Sequence, residues 1–195
     1  FKKPWREVKQ EIIFHRLPLL IVDEKIEIWQ SNAISRYIAK LTNNIPKDDV
    51  MAAYADSIFE SAHDLFFPLN PTINIFTGDN HINNKKKLIE DILPRAFINF
   101  NKLIDKFEGN FFLGERAYYC DYNVFHHLSL ALLIDENILN NYPKLNKFMS
   151  DFESQNGIKK YLDSRPQLVG IGIQPKVIID EKQYATGTNP DYDYQ

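Results

Sequence analysis

Two polar residues stand where an apolar strand gives way to a helix. Gln30 and Ser31 follow the alternating segment IEIW. Ser31 begins the segment SNAISRYIAKL, whose apolar residues recur at helical spacing. Serine is a preferred N-cap, because its hydroxyl accepts a backbone N–H of the first turn, and we expect Ser31 to cap this helix. The free N–H groups of a helix start attract carboxylates and phosphates. The pair therefore predicts an anion site, and an ordinary strand-to-helix turn explains it equally well.

Two short strands must position this pair. The apolar run LPLLIV (17–22) is typical of a strand covered on both faces, and IEIW (26–29) alternates as a second strand should. The turn DEK between them is so short that we expect antiparallel pairing. A short helical segment is expected over 5–10. Two strands do not form a stable sheet alone, so residues 1–42 either lack their beginning or borrow strands from elsewhere.

The rest of the chain is helical in period. Residues 43–48 (NNIPKD) break the pattern and are predicted to be a linker, and an all-helical domain is expected over 49–168. The fold class is therefore α/β plus all-α, with five or six helices in the second part. We expect helices that start at Asp48 or Asp49, that run over about 84–107 with a kink at Pro94, over 122–139 and over about 157–163, and loops at 67–71 and 78–80.

Composition excludes several classes of function. The chain has 23 basic and 26 acidic residues, which leaves no electrostatic footprint for nucleic acid or an anionic membrane. Its apolar runs are all shorter than the ~20 residues of a membrane span. Cys120 is the one cysteine, so no intrachain disulfide can form, and a reducing compartment, the cytoplasm, is expected.

The histidines do not predict a metal site. His126 and His127 lie in the most apolar segment, and no carboxylate or cysteine stands at the spacing that would complete a site. We interpret both as packed or hydrogen-bonded core histidines. A minor alternative is a hard-cation site formed by Glu60, His63 and Asp64.

Motifs in a fixed order carry a resemblance to a known family. They are Leu17-Pro18, Gln30-Ser31, the segment Gly114 to Asp121, Tyr142-Pro143-x-Leu145, Gly157-Ile158-Lys159-x-Tyr161-Leu162 and Arg165-Pro166. Over about residues 5–168 the chain resembles the cytosolic glutathione transferases, in particular the sigma class, which includes haematopoietic-type prostaglandin D synthase. The resemblance implies a thioredoxin-like domain, partial here, that binds glutathione as co-substrate. It also implies a helical domain that holds a small apolar electrophile, and a homodimer.

The resemblance also implies where glutathione binds. Leu17 precedes what the family makes a cis proline, Pro18, and the Leu17 backbone would pair with the cysteinyl part of glutathione. Gln30 and Ser31 match the positions that hold the γ-glutamyl carboxylate. Arg16 stands where the family has glycine and could supply a cation to a glutathione carboxylate.

Four further positions match the family, and three of them also have a structural alternative. Trp5 and Lys9 match sigma-class positions near the glycyl end, or are a packing anchor and a surface lysine. Asp64, with Glu60 one turn earlier, matches the stretch that reaches glutathione across the dimer, or is a solvated acidic face. Asp121 matches a buried aspartate that serves folding.

Three departures accompany the resemblance. Tyr118 replaces the usual serine or threonine cap, which removes about 1 kcal/mol of capping unless another group supplies it. Residues 169–195 have no counterpart, although VIID is consistent with a short strand and the acidic end is expected to be mobile. The family's first strand, first helix and second strand would precede Phe1, and its sulfur-activating tyrosine or serine lies there. No catalytic residue is therefore assigned within the chain.

Three functions stay open on this basis. The first is a glutathione transferase that conjugates the glutathione thiolate to an apolar electrophile, or uses it for an isomerisation. A thiol of pKa ~8.5 is mostly protonated at neutral pH, and each unit of lowering needs about 1.4 kcal/mol of thiolate stabilisation. The second is a non-catalytic module that scaffolds a larger assembly through residues 169–195. The third is a carrier of apolar ligands.

Overall fold

The N-terminal part of the fold is a small helix-and-strand unit. The computed structural model describes residues 5–186, with the side chains of residues 5 and 6 excepted. The unit contains α1 (Trp5–Val8) with a 3-10 turn (Lys9–Glu11), β1 (Leu19–Val22), β2 (Ile26–Trp29) and α2 (Ser31–Leu41).

The two strands form the expected antiparallel hairpin. Leu19 faces Trp29 and Val22 faces Ile26, and two turn residues, Asp23 and Glu24, take positive φ angles of 50° and 57°. The first strand starts two residues later than the apolar run predicts, because a proline at position 18 has no N–H to donate to a ladder. The expectation that this strand is covered on both faces is wrong for the described residues, since Ile21 is 55% exposed.

Seven helices follow in the described part of the chain. They are α3 (Asp49–His63), α4 (Phe66–Asn74), α5 (Gly78–Lys87), α6 (Leu93–Ile104), α7 (Tyr119–Ile134), α8 (Pro143–Glu153) and α9 (Ile158–Ser164). The first of them is capped by the Asp48 side chain, which accepts from the Met51 N–H at 2.9 Å. The central helix α7 packs chiefly against α3, and their facing residues form the middle of the core.

Both predicted loops are wrong, because helices cover them. Helix α4 includes Pro68 in its first turn, where a missing N–H costs little, and tolerates Pro71 further along. Helix α5 starts at Gly78, which takes a positive φ of 53°. A π-helical turn (Leu88–Ile92) joins α5 to α6 immediately before Pro94, the residue at which a kink was expected.

A three-stranded antiparallel sheet ends the described chain. Its strands are β3 (Gln167–Val169), β4 (Lys176–Ile179) and β5 (Lys182–Ala185), in that order. The strand expected at VIID is thus confirmed as β4. The sheet is fastened to α4 and α5, since the Gly78 N–H donates to the Gly172 carbonyl at 3.1 Å and the Thr186 hydroxyl to the Asn74 carbonyl at 3.0 Å. The acidic end that was expected to be mobile lies outside the described residues.

Candidate functional site

A cleft of about 470 Å³ separates the N-terminal unit from the helical part. Four residues that the sequence assigned to glutathione, Leu17, Pro18, Gln30 and Ser31, line one wall of it together. Arg16, the proposed extra cation, lines the same wall. Residues from two separate loops of the hairpin unit are therefore brought to one side of one cavity.

The backbone of this wall has two unusual features. The Leu17–Pro18 peptide bond is cis, as the resemblance implied, and Gln30 takes a positive φ of 71°. The expected capping role of Ser31 is wrong: the N-cap is Gln30, whose carbonyl accepts the first helical bond from the Ile34 N–H at 3.0 Å. The turn at Gln30 already places Ser31 in helical conformation, so the Ser31 hydroxyl contacts the Asn32 side chain at 3.4 Å and caps nothing.

The opposite wall of the cleft is aromatic. It comes from α3, α4 and α7 and includes Phe59, His63, Phe66, Phe67 and His127. The His63 ring stacks on Phe66 with centroids 5.5 Å apart and meets His127 edge-on at 6.1 Å. Such a wall favours a flat or apolar co-substrate over a strongly charged one.

The two neighbouring histidines of α7 differ sharply. His127 is 2% exposed, and its Nδ1 donates to the Asn123 carbonyl at 2.8 Å, as expected of a core histidine. Burial lowers the pKa of His127 to about 4, so the ring is neutral at physiological pH, and its Nε2 has no hydrogen-bond partner among the described residues. His126 is exposed and lines the cleft, so the core interpretation is wrong for it. Consecutive helical residues point about 100° apart, and only one of the two can face the core.

An ion-pair network joins α2 of the N-terminal unit to α3 of the helical part. Arg36 on α2 donates to Asp56 at 2.7 Å and also pairs with Glu60, both on α3, while the Tyr119 hydroxyl donates to Asp56. Although burial opposes it, hydrogen bonds from Tyr119 and Arg36 lower the pKa of Asp56. Burial and the bond to Asp56 raise the pKa of Tyr119. Glu60 also accepts from the Asn32 amide at 3.2 Å, which ties the cleft wall to the helical part.

Asp121 is a buried residue of the helical part and does not line the cleft. It is fully buried, and its two oxygens accept the backbone N–H groups of Phe112 at 2.9 Å and Tyr118 at 2.8 Å. The bond from the Tyr118 N–H stabilises the start of α7, which was expected to lose its cap because tyrosine replaces serine or threonine at position 118. Burial raises the pKa of Asp121 to about 6, against the opposing effect of these hydrogen bonds.

Two of the sequence-assigned residues, Lys9 and Asp64, are not among the lining residues of the cleft. Lys9 is exposed on the 3-10 turn, where its carbonyl lies 2.9 Å from the His15 Nδ1. Asp64 is an exposed C-cap of α3. The side chain of Trp5 lies outside the described part of the chain.

Sequence reasoning missed several lining residues. Phe14 and Trp29 meet edge-on with centroids 5.7 Å apart, and Asn123 contributes from α7. The one available signal was that Trp29 directly precedes Gln30. Elsewhere in the residues described, no three histidine, cysteine, aspartate or glutamate side chains are grouped to hold a metal ion, and none of the helices is both long and apolar enough to cross a membrane.

Known proteins resemble this chain in both sequence and fold. Residues 63–165 match the family described as "Glutathione S-transferase, C-terminal domain". A Plasmodium yoelii yoelii glutathione S-transferase is 30% identical over 161 residues, which cover 83% of this chain and 74% of that protein. Human "Glutathione S-transferase Mu 3" is 30% identical over 165 residues, 84% of this chain and 70% of that protein.

A solved structure agrees with both. The Pi-class glutathione S-transferase of Onchocerca volvulus superposes with a TM-score of 0.75 at 26% identity, over 83% of this chain and 76% of that one. The fold is therefore a thioredoxin-like part followed by an all-helical C-terminal domain. The chain belongs to the glutathione S-transferase family.

Proposed function

We propose that the cleft binds glutathione and that the protein transfers its thiolate to an apolar electrophile. The observation that carries the proposal is the convergence of Leu17, Pro18, Gln30 and Ser31 on one wall, opposite an aromatic wall. Family membership supports the same activity and does not favour the alternative of a non-catalytic scaffold. Glutathione is the co-substrate, and the proposal uses no metal.

The binding chemistry follows from the polar wall. The γ-glutamyl carboxylate accepts hydrogen bonds from the Gln30 amide, from the Ser31 hydroxyl and from the free N–H groups at the start of α2. The Leu17 backbone pairs with the cysteinyl residue, which leaves the sulfur facing the aromatic wall. Lowering the thiol pKa by one unit needs about 1.4 kcal/mol. The proposal assigns that task to none of the 195 residues.

Several finer assignments belong to the same proposal. Residues 1–42 form the glutathione-binding domain, 43–48 the linker, 49–168 the co-substrate domain and 169–195 an additional tail. Trp5 and Lys9 contact the glycyl end, Asp64 reaches glutathione across a homodimer, and Asp121 serves folding. The order of the motifs supports sigma class, whereas two of the relatives named above carry Mu and Pi names. The single cysteine supports a cytoplasmic location, and a detoxifying role accompanies the proposed transferase activity.

Glutathione affinity tests the assignment of Gln30. Gln30→Glu places a second carboxylate beside the γ-glutamyl carboxylate, and we expect its Kd, measured by calorimetry on the full-length protein, to rise about fiftyfold. Gln10→Glu, which adds the same charge at another exposed glutamine, should change the Kd less than about twofold. Equal Kd values for the two variants would remove Gln30 from the site.

Turnover tests the activity itself. The full-length protein should consume glutathione and a nitro-activated aryl halide in equal amounts, and Gln30→Glu should raise the KM for glutathione more than it lowers kcat. Tight glutathione binding without turnover would favour the scaffold function instead.

A further inference from the structure

Two buried polar atoms without a hydrogen-bond partner converge on the cleft. Among the side chains that the structure describes, Trp29 Nε1 and His127 Nε2 are the buried nitrogens or oxygens that lack a partner. Trp29 and His127 both line the cleft. Buried polar side-chain atoms are almost always hydrogen-bonded in folded proteins, because leaving one unpaired is costly. The shared location of the two exceptions indicates that a molecule entering the cleft completes them.

The two atoms have opposite hydrogen-bonding roles. The His127 Nδ1 lies 2.8 Å from the Asn123 carbonyl, which can only accept, so Nδ1 carries the ring proton. Burial lowers the pKa of His127 to about 4, which leaves Nε2 without a proton near neutral pH. His127 Nε2 is therefore an acceptor, whereas the indole Nε1–H of Trp29 can only donate. The cleft thus offers one position for a ligand donor and one for a ligand acceptor.

The surrounding rings do not supply the missing donor, and they can make room for one. The rings of His63 and His126 meet His127 edge-on, with centroids 6.1 Å and 5.1 Å away, and neither is hydrogen-bonded to its Nε2. Phe66, which stacks on His63, is 37% exposed, and Phe67 is 70% exposed. This part of the wall is therefore loosely packed and can rearrange around a ligand.

We propose that the co-substrate is an apolar electrophile that carries a neutral N–H or O–H donor, and that His127 Nε2 accepts from that donor. This inference rests on the proposed transferase function and names the class of electrophile that the cleft selects. An analogue without the donor leaves Nε2 buried and unpaired, and a site that hydrogen-bonds a substrate group discriminates against analogues that lack it. An ammonium group would have to lose its water among apolar rings, and a carboxylate would be repelled by the imidazole lone pair.

An amide and its matching ester isolate the donor. The amide 4-chloro-N-methyl-3-nitrobenzamide carries an N–H, and methyl 4-chloro-3-nitrobenzoate has an oxygen in its place, while both keep a carbonyl oxygen for Trp29. In each reaction the glutathione thiolate attacks the carbon that bears chlorine, a C–S bond replaces the C–Cl bond, and chloride leaves with the electron pair. The kcat/KM of the full-length protein, divided by the uncatalysed rate constant, should be about tenfold higher for the amide than for the ester.

The variant His127→Leu should abolish this preference. Leucine cannot accept a hydrogen bond, so the ratio between amide and ester should fall to within about twofold of one. The change removes an unpaired buried acceptor, so the variant should fold, which urea denaturation checks. His126→Leu is the matched control, because it removes the adjacent imidazole from the same cleft and should leave the ratio within about twofold of the wild-type value. A preference that survives His127→Leu, or that the wild-type protein lacks, would overturn the proposal.

Binding of the reaction products separates a failure of this inference from a failure of the proposed function. The glutathione conjugates of the two electrophiles are titrated by calorimetry, which requires no turnover. The amide conjugate should bind about tenfold more tightly than the ester conjugate, and His127→Leu should remove the difference. Equal Kd values for the two conjugates would overturn the role of His127 and leave the proposed function standing. If neither the conjugates nor glutathione bind, the proposed function fails and this inference fails with it.

Discussion

The N-terminal unit and the helical part of the molecule contribute to the cleft in opposite ways. Among the described side chains of residues 5–41, only Ile12 and Ala39 belong to the buried apolar set, whereas the rest of that set lies between Ala55 and Phe152. The N-terminal unit presents backbone geometry and small polar groups, and the helical part presents packed aromatic rings. The comparison indicates that stability resides mainly in the helical part, whereas the proposed glutathione recognition falls to the N-terminal unit.

Removing the buried carboxylate of Asp121 should cause the largest loss of stability, and that loss falls on the helical part. Asp121→Ala leaves the N–H groups of Phe112 and Tyr118 buried without acceptors, and we expect a loss of about 4 kcal/mol in the free energy of unfolding. Urea denaturation measures it. Asp163→Ala, at an exposed position, should cost less than about 0.5 kcal/mol. A similar small loss for both variants would contradict the role given to Asp121.

The neutral histidine of the aromatic wall should make the helical part sensitive to acid. The pKa of His127 is lowered to about 4 in the fold, so the unfolded chain, with a pKa of about 6.5, binds the extra proton first. Stability from this residue is complete above about pH 6.5 and is lost as the pH falls towards 4.

The variant His127→Gln isolates this contribution. Between about pH 7 and pH 5, wild-type protein should lose about 2 kcal/mol more unfolding free energy than His127→Gln does. Urea denaturation at several pH values gives the difference. Parallel pH profiles for the two proteins would show that His127 takes up its proton equally in both states.

Replacing Gln30 by glycine should raise the stability of the protein and weaken its binding of glutathione. Gln30 adopts a φ of 71°, which strains a residue with a side chain, so Gln30→Gly should raise the free energy of unfolding by about 1 kcal/mol. The same change removes the amide that is proposed to bind glutathione, and the glutathione Kd should rise about tenfold. A variant that loses both stability and affinity would contradict the separation.

Removing the ion pairs that link the N-terminal unit to the helical part should have the smallest effect on the free energy of unfolding. Arg36 is partly exposed to solvent, which screens its pairs with Asp56 and Glu60, so Arg36→Gln should cost less than about 1 kcal/mol. The exposed pair of Arg95 with Asp91 provides the control, and Arg95→Gln should lower the free energy of unfolding by only about 0.3 kcal/mol. A larger loss for Arg36→Gln, with a second unfolding transition, would show that this network holds the two regions together.

The sequence predicted the residues of the polar cleft wall well and those of the aromatic wall poorly. Gln30 and Ser31 form a local signal at one turn, and Leu17-Pro18 is a short motif, so both could be recognised without tertiary information. His63 and Phe66 line the cleft because the helical part packs beside the N-terminal unit, a tertiary arrangement that no local pattern encodes. The exposure of His126 was missed for a related reason, since the segment is apolar nearly all round and gives no sign of which face is covered.

Secondary structure was predicted where periodicity was strong. The boundaries of β2 and α9 agree closely, whereas α4 was expected to be a loop because its two prolines were given more weight than its packing. Leu69 and Ile73 are fully buried, and tertiary burial of that kind overrides a low helix propensity. The C-terminal sheet lies beyond the motifs of the family resemblance, so only VIID indicated a strand there.

The edge-on packing of Phe14 against Trp29 has a practical consequence. The chain has two tryptophans, and the indole of Trp29 lines the cleft with its Nε1 buried and lacking an acceptor in the described residues. Indole emission depends on the polarity around the ring, so a protein reduced to this one emitter by Trp5→Phe reports directly on what enters the cleft. Trp29 can therefore serve as an intrinsic fluorescent probe of the cleft, where glutathione and the apolar co-substrate are proposed to meet.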